Sequence, residues 1–180
     1  MPPAFRLAVA ADAQEIRALV ERAYRGDAAR GGWTHEADLL DGNRTSLAEI
    51  AGILAAPHQF VMLVEMVGRL VGSVTITGLG ENRAYLGMLA VDPAMQAGGI
   101  GRALIGAAEA EAIRRWSAAI MEMTVIARRA ELIAWYERRG YARTGEVRPF
   151  PYAVAPNSVA NADELPMVVL QRPLISRVHD

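Results

Sequence analysis

Apolar residues recur along the chain with two periods, and the switches between them separate strands from helices. Phe5 to Val9 reads as a short strand. Asp12 stands where a helix cap belongs, with Glu15 completing a capping box, and Ile16, Leu19, Val20 and Ala23 continue at helical spacing to about Tyr24. Ser46 and Glu49 predict a second boxed helix through Ile50, Ile53 and Leu54, stopped by Pro57. Strands follow: Phe60 to Val64, a turn at Gly68-Arg69, Leu70 to Ile76, a loop from Gly78 to Asn82, then Ala84 to Val91, ended by Asp92-Pro93. A helix opening near Gly99 turns Ile105, Ala108, Ala112 and Trp116 to one face. Ile120 to Ile126 is a strand, Ala130 to Arg139 a helix stopped by Gly140, Pro149 to Pro166 a proline-rich loop, and Met167 to Leu170 a last strand. This order predicts one mixed α/β sheet with helices on its faces, in a single domain over residues 1–180.

Composition narrows the chemistry. Half the residues are apolar and net charge is -1, with no basic stripe, so no nucleic-acid partner is expected. Cysteine is missing, which excludes a thiol acyl-enzyme and thiolate metal sites. Lysine is missing too: all 19 basic residues are arginine, so neither a Walker A lysine nor a Schiff base is available. His35, His58 and His179 are scattered without metal-ligand spacing. No apolar run is long enough to span a bilayer and the first residues do not read as a signal peptide. The expectation is a cytoplasmic protein with no membrane partner and no metal.

The segment from Leu89 to Arg102 is the informative one: strand, turn, glycine-rich loop, helix start. Glycines let backbone approach an anion, and a helix N-terminus adds unpaired N–H donors and the positive dipole end. A phosphate or diphosphate is the natural ligand. A P-loop needs a lysine, and a dinucleotide fingerprint fails from either Gly98 or Gly99. The pattern Gln-x-x-Gly-x-Gly is met by Gln96, Gly99 and Gly101. Taken alone, it also describes a tight strand-to-helix turn without a ligand.

With Met88-Leu89-Ala90-Val91-Asp92-Pro93 upstream, and Trp135-Tyr136-Glu137-Arg138-Arg139-Gly140-Tyr141 downstream, the chain resembles the GNAT superfamily of N-acetyltransferases over nearly its whole length. Thr144-Gly145-Glu146 and Pro149-Phe150-Pro151 resemble a stretch found in bacterial members. The resemblance implies an α/β (α+β) domain with a mixed, mostly antiparallel central sheet, a splayed strand pair and helices on both faces. It implies acetyl-CoA as co-substrate, held by Leu89, Ala90 and Val91 of the strand and by Gln96, Ala97, Gly98, Gly99, Ile100, Gly101 and Arg102 of the loop. Leu89 N–H would polarise the acetyl carbonyl, and Tyr136 would protonate the departing thiolate. The implied activity is transfer of an acetyl group to a primary amine, small-molecule or peptide, by direct attack in a ternary complex. A catalytically weak CoA-binding or sensing module of the same fold is the alternative. Relatives often form homodimers, and the resemblance extends that expectation here.

The chain departs from the family pattern twice. Arg129 stands where many members keep an asparagine that contacts the cofactor. Tyr85 stands where some members place a glutamate base, which leaves the base unassigned, with Glu36 and Glu65 as distant carboxylates. Trp33 and Glu36, between the first two helices, form the candidate acceptor site, because an aromatic and a carboxylate suit an ammonium group.

Overall fold

The computed structural model describes residues 2–25, 29–32, 43–150 and 165–174. Seven strands form one sheet: β1 (Ala4–Leu7), β2 (Gln59–Met66), β3 (Arg69–Gly80), β4 (Arg83–Val91), β5 (Ile120–Ile126), β6 (Ala142–Arg148) and β7 (Met167–Pro173). Their order is β1-β2-β3-β4-β5-β7-β6, and every neighbouring pair is antiparallel except β4 with β5. Helices α1 (Ala13–Tyr24), α2 (Leu47–Ala55), α3 (Ile100–Trp116) and α4 (Ala130–Glu137) pack on this sheet. This is the mixed, mostly antiparallel fold that the resemblance implies.

Strand β2 shows how the layers are built. Its side chains alternate across the sheet. Phe60, Met62 and Val64 join α3 and α4 in one core, while Val61 and Leu63 join α1 and α2 in another. Each helical layer covers one face.

The β4–β5 pairing matters most for function. The two strands run parallel only from Arg83↔Ile120 to Tyr85↔Glu122, and then part. Buried Glu122 holds the last pair, accepting from Arg83, from Arg148 Nη1 at 2.9 Å and from Gln171 Nε2 at 2.9 Å. Just beyond it, the Tyr85 hydroxyl and Thr124 Oγ1 lie 2.6 Å apart across the opening gap. Tyr85, standing where some members of the resembled superfamily place a glutamate, braces the fork.

Several expectations shift. Strand β1 stops at Leu7, because Arg6 grips the Asp12 carboxylate with Nη1 at 2.8 Å and Nη2 at 2.9 Å, and Val9 N–H also donates to it. That carboxylate is therefore spent, and the Asp12–Glu15 capping box does not form at α1. The first hairpin turns on Val67-Gly68, both at positive φ, one residue earlier than expected. The loop expected from Gly78 shrinks to Glu81-Asn82, also at positive φ, because β3 extends to Gly80. Strand β6 goes unforeseen: it is exposed from Ala142 to Val147 and carries no apolar alternation.

Candidate active site

Strand β4 carries the irregularity on which the site is built. Its register against β3 runs Ser73↔Ala90 and then Thr75↔Gly87, so Met88 and Leu89 together face Val74. This is a β-bulge, and Met88 takes φ +45 to make it. Leu89 thus has no register partner on β3, and β5 has already departed on the other side. Helix α1 buries Ile16, Leu19, Val20 and Ala23, which brings Tyr24 at its end to the bulge. The Tyr24 hydroxyl donates to Leu89 O at 2.6 Å.

Two cavities meet at this point. The larger, about 350 Å³, lies in the β4–β5 gap between Leu89, Thr124 and Val125. Tyr24, Arg44, Glu49 and Arg129 also bound it, and Glu49 is the one carboxylate among its described lining residues. The smaller, about 50 Å³, continues past Val91, Gln96 and Trp135 to Gly101 at the start of α3. Leu89, Tyr24, Leu132 and Tyr136 border both. The two residues expected to do the chemistry, Leu89 and Tyr136, therefore share one junction.

Tyr136 is buried, edge-on to both Trp135 and Tyr141 at ring-centre distances of 5.1 and 5.9 Å. Desolvation by burial pushes its phenol above the ordinary tyrosine range, and the neighbouring Tyr24 adds to this. The group stays protonated at any working pH. Tyr141 is fixed from behind by its hydroxyl, which donates to buried Glu109 at 2.7 Å, and Glu109 also accepts from Arg172 Nη1 at 2.8 Å.

The glycine turn opens toward the smaller cavity. A single 3-10 stretch over Pro93–Gly98 leads to Gly99, whose φ of +75 begins α3 without a side-chain cap. Ala103 N–H bonds back to Gly99 O at 3.1 Å, and the amides of Ile100, Gly101 and Arg102 precede that bond at a helix start with no side-chain cap. Nothing lies within 4 Å of a Cβ built on Gly98 or Gly99. Helix-start amides beside open space fit an anion.

The other expected residues divide. Gln96 donates to Val91 O at 3.3 Å, with its Oε1 buried and unpartnered, so it braces the strand end. The side chains of Ala90 and Ile100 lie in the two cores, leaving only their backbone to a ligand. Ala97, Gly98 and Arg102 are exposed. Arg129 lines the larger cavity, its guanidinium carbon 5.9 Å from the centre of the Tyr24 ring. Glu65 pairs with Arg6 on the far edge of the sheet and does not border the cavity. Trp33, Glu36, His35 and His179 lie outside the described residues, which contain no cluster suited to a metal ion. No helix among them is long and apolar enough to cross a membrane.

Tyr24 and Glu49 are residues that sequence reasoning misses. Tyr24 carries no signal beyond closing an amphipathic helix. Glu49 is absorbed into a capping box, yet only half of that box forms. Glu49 N–H bonds Ser46 Oγ at 3.1 Å, while the carboxylate accepts from the Thr45 hydroxyl at 2.6 Å.

The family model described as the acetyltransferase (GNAT) family matches residues 13–141. The chain belongs to the GNAT acetyltransferase family. Solved GNAT structures share its fold at low identity. The ribosomal-protein-S18-alanine N-acetyltransferase from Escherichia coli superposes with a TM-score of 0.73 at 17% identity, covering 99% of both chains. Ard1 from Thermoplasma volcanium gives 0.71 at 16% identity, over 98% of this chain and 100% of that one. A chimera of the spermidine N-acetyltransferase SpeG from Vibrio cholerae and hSSAT gives 0.70 at 14%, over 97% and 96%. No curated protein matches the chain. Family membership supports acetyl transfer from acetyl-CoA in general terms.

Proposed function

We propose that this GNAT protein moves an acetyl group from acetyl-CoA to a primary amine, with both substrates bound together. The observation that carries the reading is the parting of β4 and β5 after Tyr85↔Glu122, which opens a cavity onto Leu89 and Tyr136 beside an anion-ready glycine turn. Acetyl-CoA supplies an activated thioester. The amides of Gly99 to Arg102 would take its diphosphate, and the backbone of Leu89, Ala90 and Val91 would line the course of its pantetheine arm.

Within that arrangement, Leu89 N–H serves as the donor toward charge developing on the acetyl oxygen. The Tyr24 bond to Leu89 O fixes the next peptide and keeps the bulge rigid. Tyr136 O–H protonates the leaving sulfur. Its raised pKa does not obstruct this, because the same desolvation raises the basicity of a thiolate beside it. Glu49, the carboxylate among the described lining residues of the larger cavity, receives the acceptor's ammonium and, directly or through water, its proton. With no cysteine in the chain, attack is direct.

The test is release of free CoA thiol from acetyl-CoA against a panel of amino acids, peptides, polyamines and aminoglycosides. Turnover with an amine supports the reading. CoA binding without turnover on any amine supports instead a binding or sensing module.

A further inference from the structure

Two guanidinium groups reach the larger cavity from separate parts of the fold. Arg44 stands just before the Ser46 cap of α2, and Arg129 is the N-cap residue of α4, in the turn from β5. Both line the cavity, and both crowd Tyr24: their guanidinium carbons lie 5.3 and 5.9 Å from the centre of its ring. Each is positioned through its backbone. Thr45, next to Arg44, is buried, and donates its N–H to Glu21 Oε1 at 2.8 Å and its hydroxyl to Glu49 Oε2 at 2.6 Å. Arg129 N–H donates to Ile126 O at 2.9 Å, and its carbonyl accepts from Ile133 N–H at 3.0 Å. The ring that both arginines approach carries the hydroxyl bound to Leu89 O, so the pair stands close to the bulge.

Charge in this cavity is two-signed. Its described lining residues include two cations, Arg44 and Arg129, and one carboxylate, Glu49. A plain amine or a polyamine meets two like charges for one opposite charge, and the cations repel its ammonium. An acceptor that brings its own anion reverses that balance. A guanidinium fork takes a carboxylate in a bidentate pair, while Glu49 takes the ammonium. The cavity volume of about 350 Å³ suits a small molecule.

We propose that the acceptor is a free amino acid, its carboxylate held by Arg44 and Arg129 and its amine presented to the thioester beside Glu49. The inference rests on the acetyl-transfer reading above and names the acceptor of that same site. In the transfer the C–N bond forms and the C–S bond breaks. Two protons leave the ammonium nitrogen: one passes to solvent by way of Glu49, and the other restores the Tyr136 phenol, which has given its own to the departing sulfur. The products are an N-acetyl amino acid and the CoA thiol.

Free-thiol release by the full chain from acetyl-CoA tests this on matched acceptors: the standard amino acids, their carboxamides and their decarboxylated amines. The best amino acid is expected to exceed both of its matched compounds by at least about tenfold in kcat/KM. Arg44→Gln and Arg129→Gln should each shrink that preference by raising KM for the amino acid, and Arg129→Lys should keep part of it. Calorimetry with CoA reports whether each variant folds and holds the cofactor. If one variant does not fold, the other and the wild-type preference still decide. Equal wild-type rates on the matched compounds would overturn the proposal, as would faster turnover of polyamines or peptides. So would arginine variants that weaken CoA while the preference stands, which would assign the pair to the cofactor. Thiol release with no amine of any kind would overturn the acetyl-transfer reading itself, and this inference with it.

Discussion

The Tyr24 hydroxyl reaches across from the end of α1 to the Leu89 carbonyl at 2.6 Å, joining a helix to the bulge that shapes the site. A part-buried bond of this kind contributes about 1 kcal/mol, and its loss leaves the carbonyl unpaired. Tyr24→Phe is therefore expected to lower the melting temperature by a few degrees. Turnover should fall by about tenfold, a larger effect than the stability loss predicts, because the Leu89 peptide is freed. Thermal melts alongside steady-state kinetics check both, and an unchanged kcat would detach Tyr24 from the mechanism.

Glu49 borders the larger cavity, and the proposed function assigns it to the acceptor. Glu49→Gln keeps the size of the side chain and removes its charge. The expected result is a drop of about ten- to a hundredfold in kcat/KM for the amine, with CoA affinity unchanged by calorimetry. A matching loss of CoA affinity would place the residue elsewhere.

Tyr136 makes a pH prediction. Its folded-state pKa lies above the ordinary 10.0, so the protonated phenol persists through that value. The kcat profile should show no fall centred near pH 10 from this group. Tyr136→Phe should lower kcat by about a hundredfold or more while CoA still binds. A downturn at the ordinary tyrosine value, or normal turnover in the variant, would remove Tyr136 from the acid role.

Acid sensitivity has a surface contribution in α3. Hydrogen bonds from Arg114 first, then Arg115, lower the Glu111 pKa from its ordinary 4.5 to about 2. A depressed carboxylate pKa means stability that is present above the ordinary value and lost as pH falls toward the folded one. The wild type should thus lose melting temperature between pH about 5 and about 2, and Glu111→Gln should lose less. High salt should shrink the difference, since Arg114 is exposed.

The first hairpin carries avoidable strain. Val67 sits at φ +50, a conformation that a β-branched residue resists and asparagine tolerates. Val67→Asn should stabilise the fold by about 1 kcal/mol, read as a rise in the denaturation midpoint. A fall would mean that the exposed valine packs usefully.

What the sequence discloses and what it hides follow from how local each signal is. Gly99 at positive φ, the helix it opens and Gly140 at the end of α4 are local devices, written in residue type. The bulge is not: nothing about Met88 announces positive φ, and only pairing with β3 imposes it. The parting of β4 from β5 is likewise a tertiary fact, although family resemblance anticipates it. Glu49 is hidden because one residue serves two needs, its amide capping a helix and its carboxylate bordering a cavity. Arg44 is hidden for the opposite reason: in a chain whose 19 basic residues are all arginine, no single one stands out until its neighbours are known.

The central claim is that the start of α3 offers its amides to the diphosphate of CoA. Hydrogen exchange over residues 97–104, with and without CoA, tests it most directly. The account predicts strong new protection at Gly99, Ile100, Gly101 and Arg102 when CoA is added. Saturating CoA that leaves exchange at these amides unchanged would contradict it.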